Sequence, residues 1–151
     1  MDLEVVRELA WFRYTLRRFL RFSEKAARAC GVTPQQHQLM LGVSGFSKDG
    51  TATISELAEF LQERNHSVVG LVERAAAVGL VRRDTSPADR RLVLVRLTAR
   101  GERILTKLSR LHRDEVERVK AGMLSQLTLE QHAAGNAEHR PKQRGRGRGS
   151  A

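Results

Sequence analysis

The chain has 151 residues, enough for one domain that folds unaided, and with 5% aromatic residues against 40% hydrophobic its core must be built from aliphatic side chains. No apolar run is long enough to span a bilayer, the acidic start MDLEVVREL does not read as a secretory signal, and the single cysteine excludes an intramolecular disulfide; a reducing cytoplasm is the expected location. The formal charge of +10 calls for an anionic partner, nucleic acid first. That charge sits in two places. Residues 62–113 hold twelve Arg and Lys against five Asp and Glu, and residues 138–151 hold five against one.

In chain order, Leu3 to Cys30 reads as one long helix, with Leu9, Phe12, Leu16, Phe19, Ala26 and Cys30 at three- and four-residue steps. Val5, Val6 and Phe22 widen that stripe beyond the needs of one surface, so the helix should touch two neighbours, one of them a second subunit. Gly31 supplies a left-handed stop. Thr33, Pro34 and Gln36 form a helix start: cap, first-position proline and capping box. Leu39, Met40 and Val43 give that helix its apolar face. Ser47-Lys48-Asp49-Gly50 is a turn, and Ala52 to Ile54 is a brief strand candidate.

Thr53 or Ser55 then caps a helix over SELAEFLQ, whose Leu57, Ala58 and Leu61 point inward. After Glu63-Arg64-Asn65 a further helix runs from about His66 to Val78, and Gly79 ends it. Leu80 to Asp84 and Leu92 to Leu97 are strand-like, separated by a polar tip from Thr85 to Arg91 in which Pro87 forbids a regular ladder. Thr98 caps another long helix carrying Ile104, Leu108, Leu111, Val119 and Met123, and a shorter helix is expected after Thr128. From Gly135 the composition turns to Arg, Gly and other polar residues, too poor in apolar surface to fold. The expected organisation is therefore one domain over residues 1–134 and a disordered basic tail over 135–151. No catalytic signature is present, and the five histidines have no convincing ligand spacing, so neither enzyme activity nor a metal or cofactor is expected.

Helix, tight turn, helix and hairpin is the winged helix-turn-helix order. The fold expected is mainly α with a small β-hairpin, flanked by N- and C-terminal helices. In such a unit the second helix enters the major groove with its first turn foremost. The hairpin reaches the neighbouring minor groove, where Arg is the favoured reader.

Three segments resemble the MarR family of transcriptional regulators. Ile54-Ser55-Glu56-Leu57-Ala58 is similar to the start of that family's first DNA-binding helix. Val68-x-x-Leu71-Val72-Glu73-Arg74 followed by Gly79-Leu80-Val81 resembles its recognition helix and the approach to its wing. Asp89-x-Arg91, five residues, then Leu97-Thr98-x-x-Gly101 resembles its wing signature. The match runs in order over roughly residues 5–125, with a DNA-binding core at about 33–98. The resemblance implies a homodimer joined through its first and last helices and a palindromic double-stranded operator. It also implies a small-molecule or oxidant signal, usually with repression of nearby genes.

On that reading the DNA-binding residues are Arg64, Asn65, His66, Ser67 and Gly70 on the recognition helix and Asp89, Arg90 and Arg91 on the wing. In the family pattern Asp89 holds an Arg in a pre-set geometry. Arg64 and Asn65 suit guanine and adenine, and equally suit phosphate contact or a cap. Gly70 either lets backbone approach DNA closely or shifts readout to the first turn. Arg74 is either a reader or a structural ion-pair partner. Trp11, Arg13 and His37 are candidates for a pocket that takes a small aromatic or phenolic effector, against plain packing. Cys30 is a candidate oxidant sensor, although a helix C-terminus does not favour a thiolate and a buried small hydrophobe is the competing account. An architectural DNA-binding protein without effector control is the alternative function.

Overall fold

The computed structural model describes residues 1–46 and 49–137, with side chains to residue 124. Ser47 and Lys48 of the expected turn, and the tail from residue 138, lie outside the described residues. Five α-helices and a three-stranded sheet account for the described fold: α1 (Leu3–Ala29), α2 (Pro34–Leu41), β1 (Thr51–Thr53), α3 (Ile54–Leu61), α4 (Asn65–Ala77), β2 (Val81–Thr85), β3 (Val93–Leu97) and α5 (Ala99–Ala137).

The helix starts follow from local chemistry. Asp2 caps α1, accepting from the Glu4 and Val5 amides. Thr33 and Gln36 close a reciprocal box on α2: the Gln36 amide donates to Thr33 Oγ1 at 3.1 Å, and the Thr33 amide donates to Gln36 Oε1 at 2.9 Å. Thr53, rather than Ser55, does the same for α3 with Glu56, at 3.2 and 2.8 Å. Gly31 (φ +78°) and Gly79 (φ +71°) take the left-handed conformation after α1 and α4.

Three features differ from the sequence reading. A π-helical turn, Gly42–Phe46, extends α2; a Cβ at Gly42 would strike the Phe60 ring, so the bare backbone lets that ring close over it. The short strand β1 starts one residue earlier than expected and pairs with β3, giving an antiparallel sheet in the order β1-β3-β2 in place of a free hairpin. Finally, α5 continues unbroken to Ala137, through Thr128 and past Gly135, where a separate helix and then a tail were expected. Threonine and glycine lower helix propensity without forbidding helix, whereas proline would end it, and none occurs between Ala99 and Pro141.

The core joins all these pieces. Leu39, Met40 and Val43 meet Leu57 of α3, Val68, Leu71, Val72 and Ala75 of α4, Val81 and Val95 of the sheet, and Leu105 and Leu108 of α5. Ala26 and Ala27 bring the end of α1 onto it. The upper half of α1 is different: Leu3, Val5, Val6, Leu9, Trp11, Phe12 and Leu16 are all exposed in the single chain.

Candidate nucleic-acid interface

Between α3 and α4 lie only Gln62, Glu63 and Arg64. Gln62 is the one non-glycine residue with positive φ (54°) among the described residues, and its side-chain amide donates to the Glu59 carbonyl at 2.7 Å. The Glu63 amide donates back to the Ala58 carbonyl, which closes the end of α3. Arg64 then stands at the cap position of α4, and it makes no side-chain cap hydrogen bond. The first turn of α4 therefore keeps its free amides, and the helix dipole adds positive potential there. Arg64, Asn65, His66 and Ser67 are all exposed around that end.

Farther along α4, Val68, Leu71, Val72 and Ala75 are buried against the core. Ser67, Gly70 and Arg74 share the outer stripe by their three- and four-residue spacing. The Arg74 guanidinium lies over Gly70, its Nη1 3.2 Å from where a Cβ would stand. Arg74 has no ion pair among the described residues, so the structural ion-pair account of it finds no partner. The space left by the missing side chain at position 70 is taken by a cation from position 74.

The wing is fastened to α4 at its base. Arg83 of β2 pairs with Glu73 at 3.7 Å, and Arg100 donates to the Val78 carbonyl at 2.8 Å, capping the C-terminal end of α4. The Thr98 hydroxyl donates to the Gly79 carbonyl at 2.6 Å and accepts from the Gly101 amide at 3.1 Å. Gly101 lies so close to the Leu80 carbonyl that no Cβ fits. The Leu97-Thr98-x-x-Gly101 half of the wing signature is thus a structural clasp.

The tip is built otherwise. The Ser86 amide donates to the Leu92 carbonyl and the Leu92 amide to the Asp89 carbonyl, both at 3.0 Å, which narrows the loop. Asp89 receives the Arg91 amide at 3.0 Å, Arg91 Nε at 3.2 Å and Arg91 Nη2 at 3.4 Å. These bonds from the Arg91 side chain and backbone hold the Asp89 carboxyl below its ordinary range. The Arg91 side chain is 92% exposed even so, a cation held in one orientation and offered to solvent. Arg90 makes no hydrogen bond or ion pair among the described residues and is exposed beside it. A further cluster went unread in the sequence: Arg82 and Arg96, partners across β2 and β3, bracket Asp84 at 3.3 and 3.6 Å. Alternation along the two strands puts all three on the same sheet face, so register was the signal that would have found it.

The effector candidates are not brought together. Trp11 packs edge-on against Tyr14 (centroids 5.5 Å) and is half exposed, and Arg13 is exposed nearby. His37 is buried on α2 and meets α5 at His112, which bonds Ser23 of α1. Twelve residues of helix separate Trp11 from Ser23, roughly 18 Å along the axis. A cavity of about 570 Å³ does open between α1 and α5, lined by Phe22 and Leu111 and by Arg103, Lys107, Arg110 and Asp114 among others. Cys30 caps the C-terminus of α1 and packs, half-buried, at the margin of the core. Among the described residues no three metal-ligating side chains converge, and no helix is long and apolar enough to cross a membrane.

The sequence profile of the MarR family matches residues 31–92, from the stop of α1 through α2, α3, α4 and the wing tip. Over those residues the chain is similar to the MarR family. Solved structures carry the likeness along nearly the whole chain. AbsC, a MarR family transcriptional regulator from Streptomyces coelicolor, is 23% identical with a TM-score of 0.68, covering 92% of this chain and 95% of its own. A mutant MepR from S. aureus bound to an oligodeoxyribonucleotide is 21% identical (TM-score 0.60; 87% and 94% covered). BpsR of Bordetella bronchiseptica, whose DNA binding is regulated by 6-hydroxynicotinic acid, is 18% identical (TM-score 0.60; 83% and 91% covered). No curated protein matches the chain. At these identities the structural likeness establishes the MarR winged-helix fold, with α1 and α5 as its flanking helices.

Proposed function

We propose that this protein is a cytoplasmic, homodimeric, sequence-specific regulator of transcription that binds double-stranded DNA, a repressor released by a small-molecule or oxidant signal. One observation carries the reading. The recognition helix leaves its N-terminal amides uncapped among Arg64, Asn65, His66 and Ser67, while the wing fastened to the same helix ends in an Asp89-clamped Arg91 beside a free Arg90. The uncapped turn suits phosphates and base edges, and the pre-oriented arginine suits a minor groove. The apolar stripe exposed on α1, from Leu3 to Leu16, supports a second copy as its cover, because a soluble monomer rarely presents so continuous a patch. Two such subunits bring two α4 helices to half-sites about one helical turn apart, or a multiple of it, on a palindrome.

Two relatives support the chemistry: MepR is seen on DNA, and BpsR answers to an aromatic acid. The cavity between α1 and α5, where Phe22 and Leu111 stand beside four basic and two acidic side chains, suits a small aromatic or phenolic anion of that kind. Selection of duplexes from a random pool, followed by affinity measurement with Arg90→Ala/Arg91→Ala, tests the proposal. One recovered palindrome, and a loss of about 1–3 kcal/mol per arginine, is expected. Undiminished affinity at physiological salt overturns the wing's role. The missing side chain at Gly70 favours a second reading, an architectural DNA-binding protein, and a featureless selection output would establish that one instead.

A further inference from the structure

The joint between the flanking helices and the DNA-binding lobe contains a histidine pair. His37, on α2, is 2% exposed, and its ring faces that of His112 on α5 with centroids 4.9 Å apart. His112 is fixed in place. Its Nδ1 lies 2.7 Å from the Leu108 carbonyl, which can only accept, so Nδ1 carries the proton and donates. Its Nε2 lies 2.8 Å from the Ser23 hydroxyl of α1 and, in the neutral ring, accepts from it. Phe22 and Phe19 pack edge-on against the same ring at 5.3 and 6.0 Å. One contact set thus ties α1 and α5 to α2.

His37 itself is buried in the apolar core. The elements packed on α2 contribute Leu57 from α3, Val68, Leu71 and Val72 from α4, and Val43 from the π turn to the shared core. From α1 come Phe22 and the uncharged Ser23, and from α5 comes His112. Among the described residues, the charged neighbour that acts on His37 is His112. Burial first, and then His112, push the His37 pKa down from 6.5 to about 4.

Resting on the DNA-binding reading above, we propose that His37 and His112 form a proton-sensitive joint: acid opens the contact between α2 and the α1–α5 pair and so lowers affinity for the operator. The sign follows from linkage. With the joint open, His37 meets water and titrates near 6.5; with it closed, near 4. The closed form is therefore fully favoured above about pH 7 and loses ground as pH falls from 6.5 towards 4. At pH 5 the opening equilibrium is about thirtyfold larger than at pH 7.5.

Amide hydrogen exchange on the full chain reads that equilibrium directly, once intrinsic rates are corrected for pH. Protection across α2 should fall about thirtyfold between pH 7.5 and 5.0. Affinity for a duplex selected by the protein at pH 7.5 should fall with it at constant ionic strength. His37→Phe, which keeps an aromatic of similar size and cannot titrate, should flatten both responses. His37→Gln serves if that variant does not fold, and ring-proton NMR of the unaltered chain should show one histidine titrating far below 6.5. Protection independent of pH, a response that survives both substitutions, or duplex affinity that stays constant while protection falls would each overturn the joint. Failure to bind any duplex at pH 7.5 would overturn the DNA-binding reading, and the exchange experiment would still decide the opening.

Discussion

The adjacent helices α3 and α4 begin in opposite ways. At α3, Thr53 and Glu56 satisfy each other's amides, and the carboxylate of Glu56 sits where the helix dipole wants it. At α4 the cap position holds Arg64, which accepts nothing and adds positive charge to an end that is already positive. A sequence selected for stability alone would put Ser, Asp or Asn there. The start of α3 is closed by its own side chains, and the start of α4, the helix proposed to meet DNA, is left open. The wing repeats the contrast within one motif: its base is sealed by Thr98 and Gly101, while its tip holds Arg91 in a fixed pose and leaves it almost wholly exposed.

Breaking the sealed side should cost most. Gly101→Ala drives a Cβ into the Leu80 carbonyl, backbone against backbone. A loss of about 3 kcal/mol is expected, read as a lower denaturation midpoint, with the wing displaced and DNA binding lost together. The open side should respond in the reverse sense. Arg64→Ser supplies the missing cap and should stabilise the fold by about 1 kcal/mol. It should weaken duplex binding by a similar or larger amount, because the first-turn amides now have a partner and a cation is gone. Higher melting temperature with unchanged affinity would mean the open N-terminus has no role in binding. Thr53→Ala should cost about 1 kcal/mol of stability and leave duplex affinity at low temperature unchanged, since that cap faces no ligand.

Much of this contrast could be read in the sequence, because it is local. The box at Thr33, the cap at Thr53 or Ser55, the stops at Gly31 and Gly79, and the Asp89–Arg91 spacing act within a few residues of themselves. The features missed are those set by distant partners. β1 exists because β3, some forty residues later, offers it a ladder. Gly42 in the π turn meets the ring of Phe60, a residue of another helix. His37 and His112 have no periodic relation, and only the crossing of α2 with α5 brings their rings together. Trp11 and Arg13 fell short of His37 for a matching reason: sequence pattern places residues on a helix face but does not say at which level that helix is crossed. α5 outran its expected end because weak helix formers were read as boundaries.

The smallest expected effect sharpens the comparison most, since it lies on the open helix and away from its cap. Gly70→Ala should stabilise α4 by up to about 1 kcal/mol, the ordinary gain over a helix-interior glycine. The new Cβ would stand 3.2 Å from Arg74 Nη1, the free end of a flexible side chain, so the fold need not move and the guanidinium must. If Arg74 reaches DNA by lying across the bare backbone, displacing it should weaken the selected duplex more than random duplexes. Arg74→Ala should do the same without stabilising the helix. Should Gly70→Ala stabilise the protein and leave both affinities alone, Arg74 is a solvent-facing cation, and readout by α4 rests with the first turn from Arg64 to Ser67.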